Sequence, residues 1–200
     1  MSEPAGAERF VSAVVLAAGG STRMGRPKLA LPVRGEPMLR RAVGAALASR
    51  CREVIVVLGM HADVYRPLLD GLDARVVVNP DAAEGMGASI RAGVGAISPK
   101  ASGAVVLLAD QPFVSAEVID RLITSAQASR ARVAAAAYGR VVGVPAYFDR
   151  ALFPELRALV GDRGARSVVE AHRTDAVTVT IPEEEAADID TAQDLASLGP

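Results

Sequence analysis

Val54-Ile55-Val56-Val57-Leu58 and Ala104-Val105-Val106-Leu107-Leu108 are unbroken apolar runs, rich in β-branched residues. A strand with one wet face alternates apolar and polar side chains. A run that is apolar at every position belongs to a strand covered on both faces, as in a parallel sheet. Working outward, further strand-like runs fall at residues 12–16, 75–78, 132–137 and 176–181. Between them lie segments with helical spacing. Met38, Leu39, Ala42, Val43, Ala46 and Leu47 form one apolar stripe, and Val118, Ile119, Leu122, Ile123 and Ala126 form another, with Ser115 at the N-cap position of the second. Strand and helix alternate through most of the chain. This predicts an α/β fold, a three-layer α/β/α sandwich on a mostly parallel, Rossmann-like sheet with right-handed crossovers. Ligands of such sheets bind beyond the carboxyl ends of the strands, so chemically important residues should follow strands directly. The loop from Ala17, the pair Asn79-Pro80 and the triplet Asp110-Gln111-Pro112 all do so. Gly139 to Asp149 interrupts the alternation, and Pro145 within it is awkward in mid-sheet, so the segment reads as an edge strand or a lid over the crevice.

Two hundred residues suffice for one domain with a substantial core, assigned here to residues 11–200 behind a flexible tail at 1–10. No apolar run approaches the roughly 20 residues of a membrane span. The first residues carry Glu3, Pro4, Gly6 and Glu8, unlike a signal peptide, so a cytoplasmic location is expected. The formal charge of −1 gives no general attraction for nucleic acid, and Trp is absent, which removes the best base-stacking side chain. The single cysteine, Cys51, has no internal disulfide partner and reads as a packing residue. His61 and His172 read as loop or surface residues, and Glu183-Glu184-Glu185 as a solvated turn.

The sharpest motif is Leu16-Ala17-Ala18-Gly19-Gly20-Ser21-Thr22-Arg23-Met24-Gly25-Arg26-Pro27-Lys28. Paired glycines after a buried strand allow the backbone to approach a ligand closely, and successive N–H groups there form an anion-binding concavity. Ser21 and Thr22 add hydroxyl donors, and Arg23, Arg26 and Lys28 add three positive charges. The ingredients suit a polyphosphate; the plain alternative is a glycine-rich turn with solvated cations. A P-loop is excluded, because Arg26-Pro27 stands where Lys-Ser/Thr is required after the second glycine, and the dinucleotide fingerprint GxGxxG has the wrong spacing. Asp110, directly after an apolar run, is suited to hold magnesium through oxygen. It could also cap the next helix, but Ser115 is better placed for that.

This loop resembles the signature LAAGxSxRMGxxK of the MobA-like nucleotidyltransferases, and within them the branch that includes the molybdenum cofactor cytidylyltransferases. Leu16, Ala17, Ala18, Gly19, Ser21, Arg23, Met24, Gly25 and Lys28 all fall in register. The resemblance implies the nucleotide-diphospho-sugar transferase type of fold and a backbone cradle for a triphosphate formed by Leu16 to Thr22. Arg23 and Lys28 would neutralise phosphate charge, and these two with Asp110 would form the catalytic set. Asn79-Pro80-Asp81 and Glu84 to Ile90 resemble the family segment around base and ribose, which brings in Asn79, Gly85 and Ser89. Ala109-Asp110-Gln111-Pro112 resembles its metal-binding element. Asp188-Ile189-Asp190-Thr191 to Leu195 resembles its closing DIDTxxDL element, making Asp190 a second ligand of Mg2+, leaving Asp188 a surface or supporting acid and Asp194 a cap. Gly161 to Arg166 resembles a turn of the same branch with no assigned role. The chain departs from the branch at Gly143-Val144-Pro145, where many of its members have Gly-His-Pro.

The expected reaction is transfer of a nucleoside monophosphate from an NTP, CTP favoured, to a small phosphorylated acceptor, molybdenum cofactor favoured, with release of pyrophosphate. A molybdoenzyme or chaperone partner is compatible with this; nucleic acid and membrane are not expected. The alternatives are transfer to a sugar 1-phosphate or isoprenoid precursor, a non-catalytic nucleotide-binding accessory protein, and, against the failed fingerprint, a dinucleotide-dependent oxidoreductase.

Overall fold

The computed structural model describes residues 9–20, 25–191, 193 and 194. Most of the tail assigned to residues 1–10 therefore lies outside the described residues. In chain order the elements are β1 (Val11–Ala17), the short ribbon β2 (Pro32–Val33) and β3 (Glu36–Pro37), α1 (Met38–Ala48), β4 (Glu53–Leu58), α2 (Ala62–Tyr65), β5 (Arg75–Val78) and α3 (Met86–Gly95). There follow β6 (Gly103–Leu108), α4 (Ala116–Ser129), β7 (Val133–Tyr138), β8 (Val141–Asp149), α5 (Phe153–Arg157), α6 (Ala165–Ala171) and β9 (Val177–Thr180). Each of the six strand-like runs is a strand, displaced by at most one residue at either end.

The strands form one seven-stranded sheet in the order β5-β4-β1-β6-β8-β7-β9. Within it β8 alone runs against its neighbours β6 and β7. The unbroken apolar runs have the cause inferred for them. On β1 and β4, Ala13, Val15, Val54, Val56 and Leu58 face a core under α1 and α4, while Val14, Leu16, Ile55 and Val57 face a second core under α3, α5 and α6. Full burial of one such side chain contributes about 1.5–3 kcal/mol. On the second face α3 lies so close that a Cβ at Gly93 would come within 2.5 Å of Val14 Cγ1 and 2.9 Å of Val57 Cγ2. The Ser115 hydroxyl caps α4 by accepting from Val118 N at 3.3 Å. Cys51 is packed as expected, and burial pushes its thiol up to about 11. Among the described residues no helix is long and apolar enough to cross a membrane.

One expectation needs correction. The segment from Gly139 is neither an edge strand nor a lid, because β8 lies inside the sheet between β6 and β7. Pro145 is tolerated there by a local break in pairing. Ala135 faces Ala146 but Ala136 faces Gly143, so Val144 and Pro145 have no opposite residues on β7, and pairing with β6 stops at Ala146. A proline at a bulge has no ladder hydrogen bond to lose.

Chain order also fixes where a crevice must open. From β1 the sheet grows through β4 to β5 on one side, then β6 crosses back to β1's other edge. Such a reversal leaves a gap beyond the carboxyl ends of the strands on either side of it, here β1 and β6.

Candidate active site

At that gap the segments after β1 and β6 meet, and Ala109 N donates to Leu16 O at 3.0 Å. A cleft of about 360 Å³ opens between them. Leu16, Ala18, Gly19 and Gly20 form one wall, Gly85, Met86 and Ser89 the opposite wall, and Leu108 and Asp110 the floor between them. Ser21, Thr22, Arg23 and Met24 lie outside the described residues. Ala17 belongs to the core beneath α1, so only its backbone is left to a ligand. Asn79 does not line the cleft. It is buried, donating from Nδ2 to Ser89 Oγ at 3.2 Å and accepting from Asp81 N at 3.1 Å, so it supports Ser89, which does line it. Gly85 has φ of 108°, and a Cβ there would lie 2.5 Å from the Gly161 carbonyl and 2.8 Å from Asp162 Oδ1. Glycine is required at that point both by conformation and by the close approach of the Gly161-Asp162 turn, whose carbonyl also accepts from Gly87 N at 2.9 Å.

The charged centre lies at the end of β6. Lys28, opening a short 3-10 turn after the glycine loop, donates to Asp110 Oδ2 at 2.8 Å and to Asp190 Oδ1 at 2.7 Å. Acids 80 positions apart in sequence thus share one cation, but that cation is the Lys28 ammonium, which the sequence reading assigns to phosphate, and not a metal ion. Their convergence is built by the backbone. Ile189 N donates to Asp110 O at 3.0 Å and Gln111 Nε2 to Ala186 O at 3.2 Å, stitching the final segment to the loop after β6. Asp194 then clamps the chain beyond, accepting from Asp190 N and Thr191 N at 3.0 and 2.7 Å while its own N donates to Thr191 Oγ1 at 3.1 Å, the capping arrangement read from sequence.

Burial pulls the Lys28 pKa down, but the charge of Asp110 and the hydrogen bonds to Asp110 and Asp190 outweigh it and leave the ammonium above its ordinary 10.5. Asp188 is more than a surface acid. Partial burial and the charge of Asp110 raise its pKa above the ordinary carboxylate value, against the opposing hydrogen bond from Gln111. It lines a second cavity of about 300 Å³ that shares Leu16, Met86, Leu108 and Asp162 with the first. Tyr138, Val144 and Arg166 form its far wall. The Tyr138 hydroxyl donates to Val144 O at 3.2 Å, and burial pushes its pKa up. Asp162 and Tyr138 were not singled out in the sequence. Tyr138 carries no motif, and Asp162 was seen only as part of a turn without a role.

The other candidates fall elsewhere. His61 Nε2 lies 3.2 Å from Gly20 O and its ring meets Tyr65 edge-on at 5.8 Å, which is a packing role beneath the loop. His172 pairs with Glu155 at 2.7 Å. Glu183 to Glu185 form part of an outlying 3-10 turn.

Two oxygen donors around one cation position suit a hard divalent ion that keeps open positions for waters and phosphates. The described residues contain no ready-made cluster of three or more His, Cys, Asp or Glu for a metal. The site therefore fits an ion completed by a nucleotide's phosphates better than one caged by protein alone.

Residues 13–177 match the MobA-like NTP transferase domain. The chain belongs to this family. It is a family of NTP transferase domains, and Asp188 and Asp190 lie beyond the matched stretch. The chain is 38% identical over 165 residues to nicotine blue oxidoreductase of Paenarthrobacter nicotinovorans, covering 78% of this chain and 79% of that protein. It is 34% identical over 200 residues to the purine catabolism protein PucB of Bacillus subtilis, covering 92% and 94%. A probable molybdenum cofactor guanylyltransferase of Mycobacterium avium is 31% identical over 195 residues, covering 94% of both. Among solved structures, Rv0371c of Mycobacterium tuberculosis superimposes with a TM-score of 0.85 at 32% identity, covering 95% of this chain and 97% of that one. A structure of Rv0371c in complex with manganese gives a TM-score of 0.79 at 30% identity, covering 94% and 97%. Divalent metal is thus found with a member of the family.

Proposed function

We propose that the protein transfers CMP from CTP to a phosphorylated acceptor, molybdenum cofactor being the favoured one, with Mg2+ held by Asp110 and Asp190. The observation that carries this reading is the convergence of Lys28, Asp110 and Asp190 at the end of the glycine-walled cleft. An acceptor phosphate oxygen attacks the α-phosphorus, the bond from that phosphorus to the bridging oxygen breaks, and pyrophosphate leaves with the bond electrons. When bound, the metal supplies charge neutralisation along the phosphates. The chain's own work is positioning. The amides after β1 cradle the phosphates, and Lys28, with Arg23, stabilises the charge on departing pyrophosphate. A phosphate monoester is largely ionised near neutral pH, so no general base is needed. The second cavity adjoins the first and is the natural seat for the acceptor.

Cytosine is preferred on the strength of Ala17-Ala18-Gly19, since guanylyl relatives usually carry Ala-Gly-Gly there. We further propose a cytoplasmic location and a molybdoenzyme or chaperone partner. The test is a screen of four NTPs against several phosphate acceptors, molybdopterin with bound metal included, read by pyrophosphate release with magnesium present. Release with CTP and molybdopterin supports the reading, and release only with another pair reassigns the substrates. The name of the Paenarthrobacter relative favours a second reading, an oxidoreductase. Oxidation of NADH or NADPH by the protein, with no pyrophosphate released across the screen, would establish that one.

A further inference from the structure

We propose that Arg166 is the residue that grips the anionic group of the acceptor in the second cavity. The inference rests on the transfer reading above and adds to it a role for the Gly161–Arg166 segment. Its starting point is the charge of the surroundings. Around the two cavities stand Asp110, Asp162, Asp188 and Asp190. Lys28 already spends its ammonium on Asp110 and Asp190. A phosphate monoester carries close to two negative charges and enters this acidic ring from the side away from Lys28. It needs a cation on its own side.

Among the described residues Arg166 is the one cation lining the second cavity. Its guanidinium makes no hydrogen bond or ion pair with them, unlike Arg121, Arg150 and Arg157, which are bound to backbone carbonyls. The side chain is exposed and follows the cavity wall. Its Cγ and Cδ run across Gly143, where a Cβ would lie 3.6 Å from both, and its charge reaches the Tyr138 phenol. The stem lies along the β8 backbone at Gly143, and the head is exposed, with no hydrogen-bond or ion-pair partner among the described residues. A guanidinium offers a planar fork of donors that matches two phosphate oxygens at once, which a lysine cannot reproduce. Arg166 stands in the first turn of α6, just after the Gly161-Asp162 turn that is anchored against Gly85 and Gly87, so the anion grip adjoins the wall of the nucleotide cleft.

Inorganic phosphate is the probe. It is titrated calorimetrically into protein saturated with magnesium and a non-hydrolysable CTP analogue, so that the triphosphate cradle is filled. Arg166→Ala should weaken phosphate binding by about 10–100-fold, the worth of charge-assisted hydrogen bonds, with Arg166→Lys in between. Arg163→Ala, an exposed arginine of the same segment that does not line the cavity, should match wild type. With whichever acceptor the screen accepts, Arg166→Ala should raise KM for that acceptor to a similar degree and leave KM for the nucleotide within about twofold. Phosphate binding by Arg166→Ala equal to wild type overturns the proposal, as does an equal rise in both KM values. A screen with no pyrophosphate release sinks the transfer reading but leaves the phosphate titration to decide on Arg166. Turnover with an unchanged acceptor KM in Arg166→Ala keeps the transfer and removes the residue.

Discussion

Replacing Lys28 by methionine removes a cation that holds two carboxylates together, and the structure sets the size of the effect. Each charge-assisted hydrogen bond contributes about 1.5–3 kcal/mol when well shielded, and breaking a buried ionic network costs about 3–5 kcal/mol. Shielding here is partial. The side chains of Lys28, Asp110 and Asp190 are 12%, 26% and 40% exposed, and solvent screening reduces the figure to about 1–2 kcal/mol. For a chain of this length that corresponds to a loss of about 2–8 °C in Tm. The assay is thermal unfolding in EDTA, repeated with saturating Mg2+ or Mn2+. The variant should melt early in EDTA and recover with the metal, which can stand between the same two acids. Wild type should respond less to metal without nucleotide, since the lysine competes for that position. Turnover should still fall by more than about tenfold at saturating metal, because the phosphates lose a cation. The sign with pH follows from the raised lysine pKa. The stabilisation is fully present below about 10.5 and disappears as pH climbs through the higher folded value. A variant that melts like wild type in EDTA, or that metal fails to rescue, would refute the picture of two acids sharing one cation position.

Asp110→Asn should lower turnover by more than about tenfold while the circular dichroism spectrum stays native; near-normal rates would remove the acid from the mechanism. Gly85→Ala puts a methyl into the Gly161 carbonyl at a positive φ, so it should destabilise by about 1–3 kcal/mol in urea unfolding and weaken nucleotide binding as well. Calorimetric titration should find CTP bound more tightly than GTP, and the reverse order would overturn the base assignment.

The parallel half of the sheet was legible because Val54–Leu58 and Ala104–Leu108 are apolar throughout, a pattern two-sided burial produces and little else does. The site was legible where residues follow strands: Gly19 and Gly20 after β1, and Asp110 after β6. The interior position of β8 was not, because the feature that admits Pro145 is a slip in pairing with β7, and register is a property of two strands together. The inward turn of Asn79 was not legible either. Its position after β5 is as expected, but its amide turns inward to Ser89 and Asp81. Asp188 looked peripheral because its neighbours Asp110 and Gln111 reach it only through docking of the final segment.

The reversed direction of β8 brings the beginning of that strand, not its end, to the rim where β6 finishes. The rim is therefore assembled from two kinds of connection: the βα loops of the parallel half on one side, and a hairpin closed by Gly139-Arg140 on the other. Substitutions at Tyr138 or Val144 would reach the second cavity, which they line, and not the first. If the two cavities seat acceptor and nucleotide as proposed, a scaffold built this way can exchange its second substrate without rebuilding the site of its first.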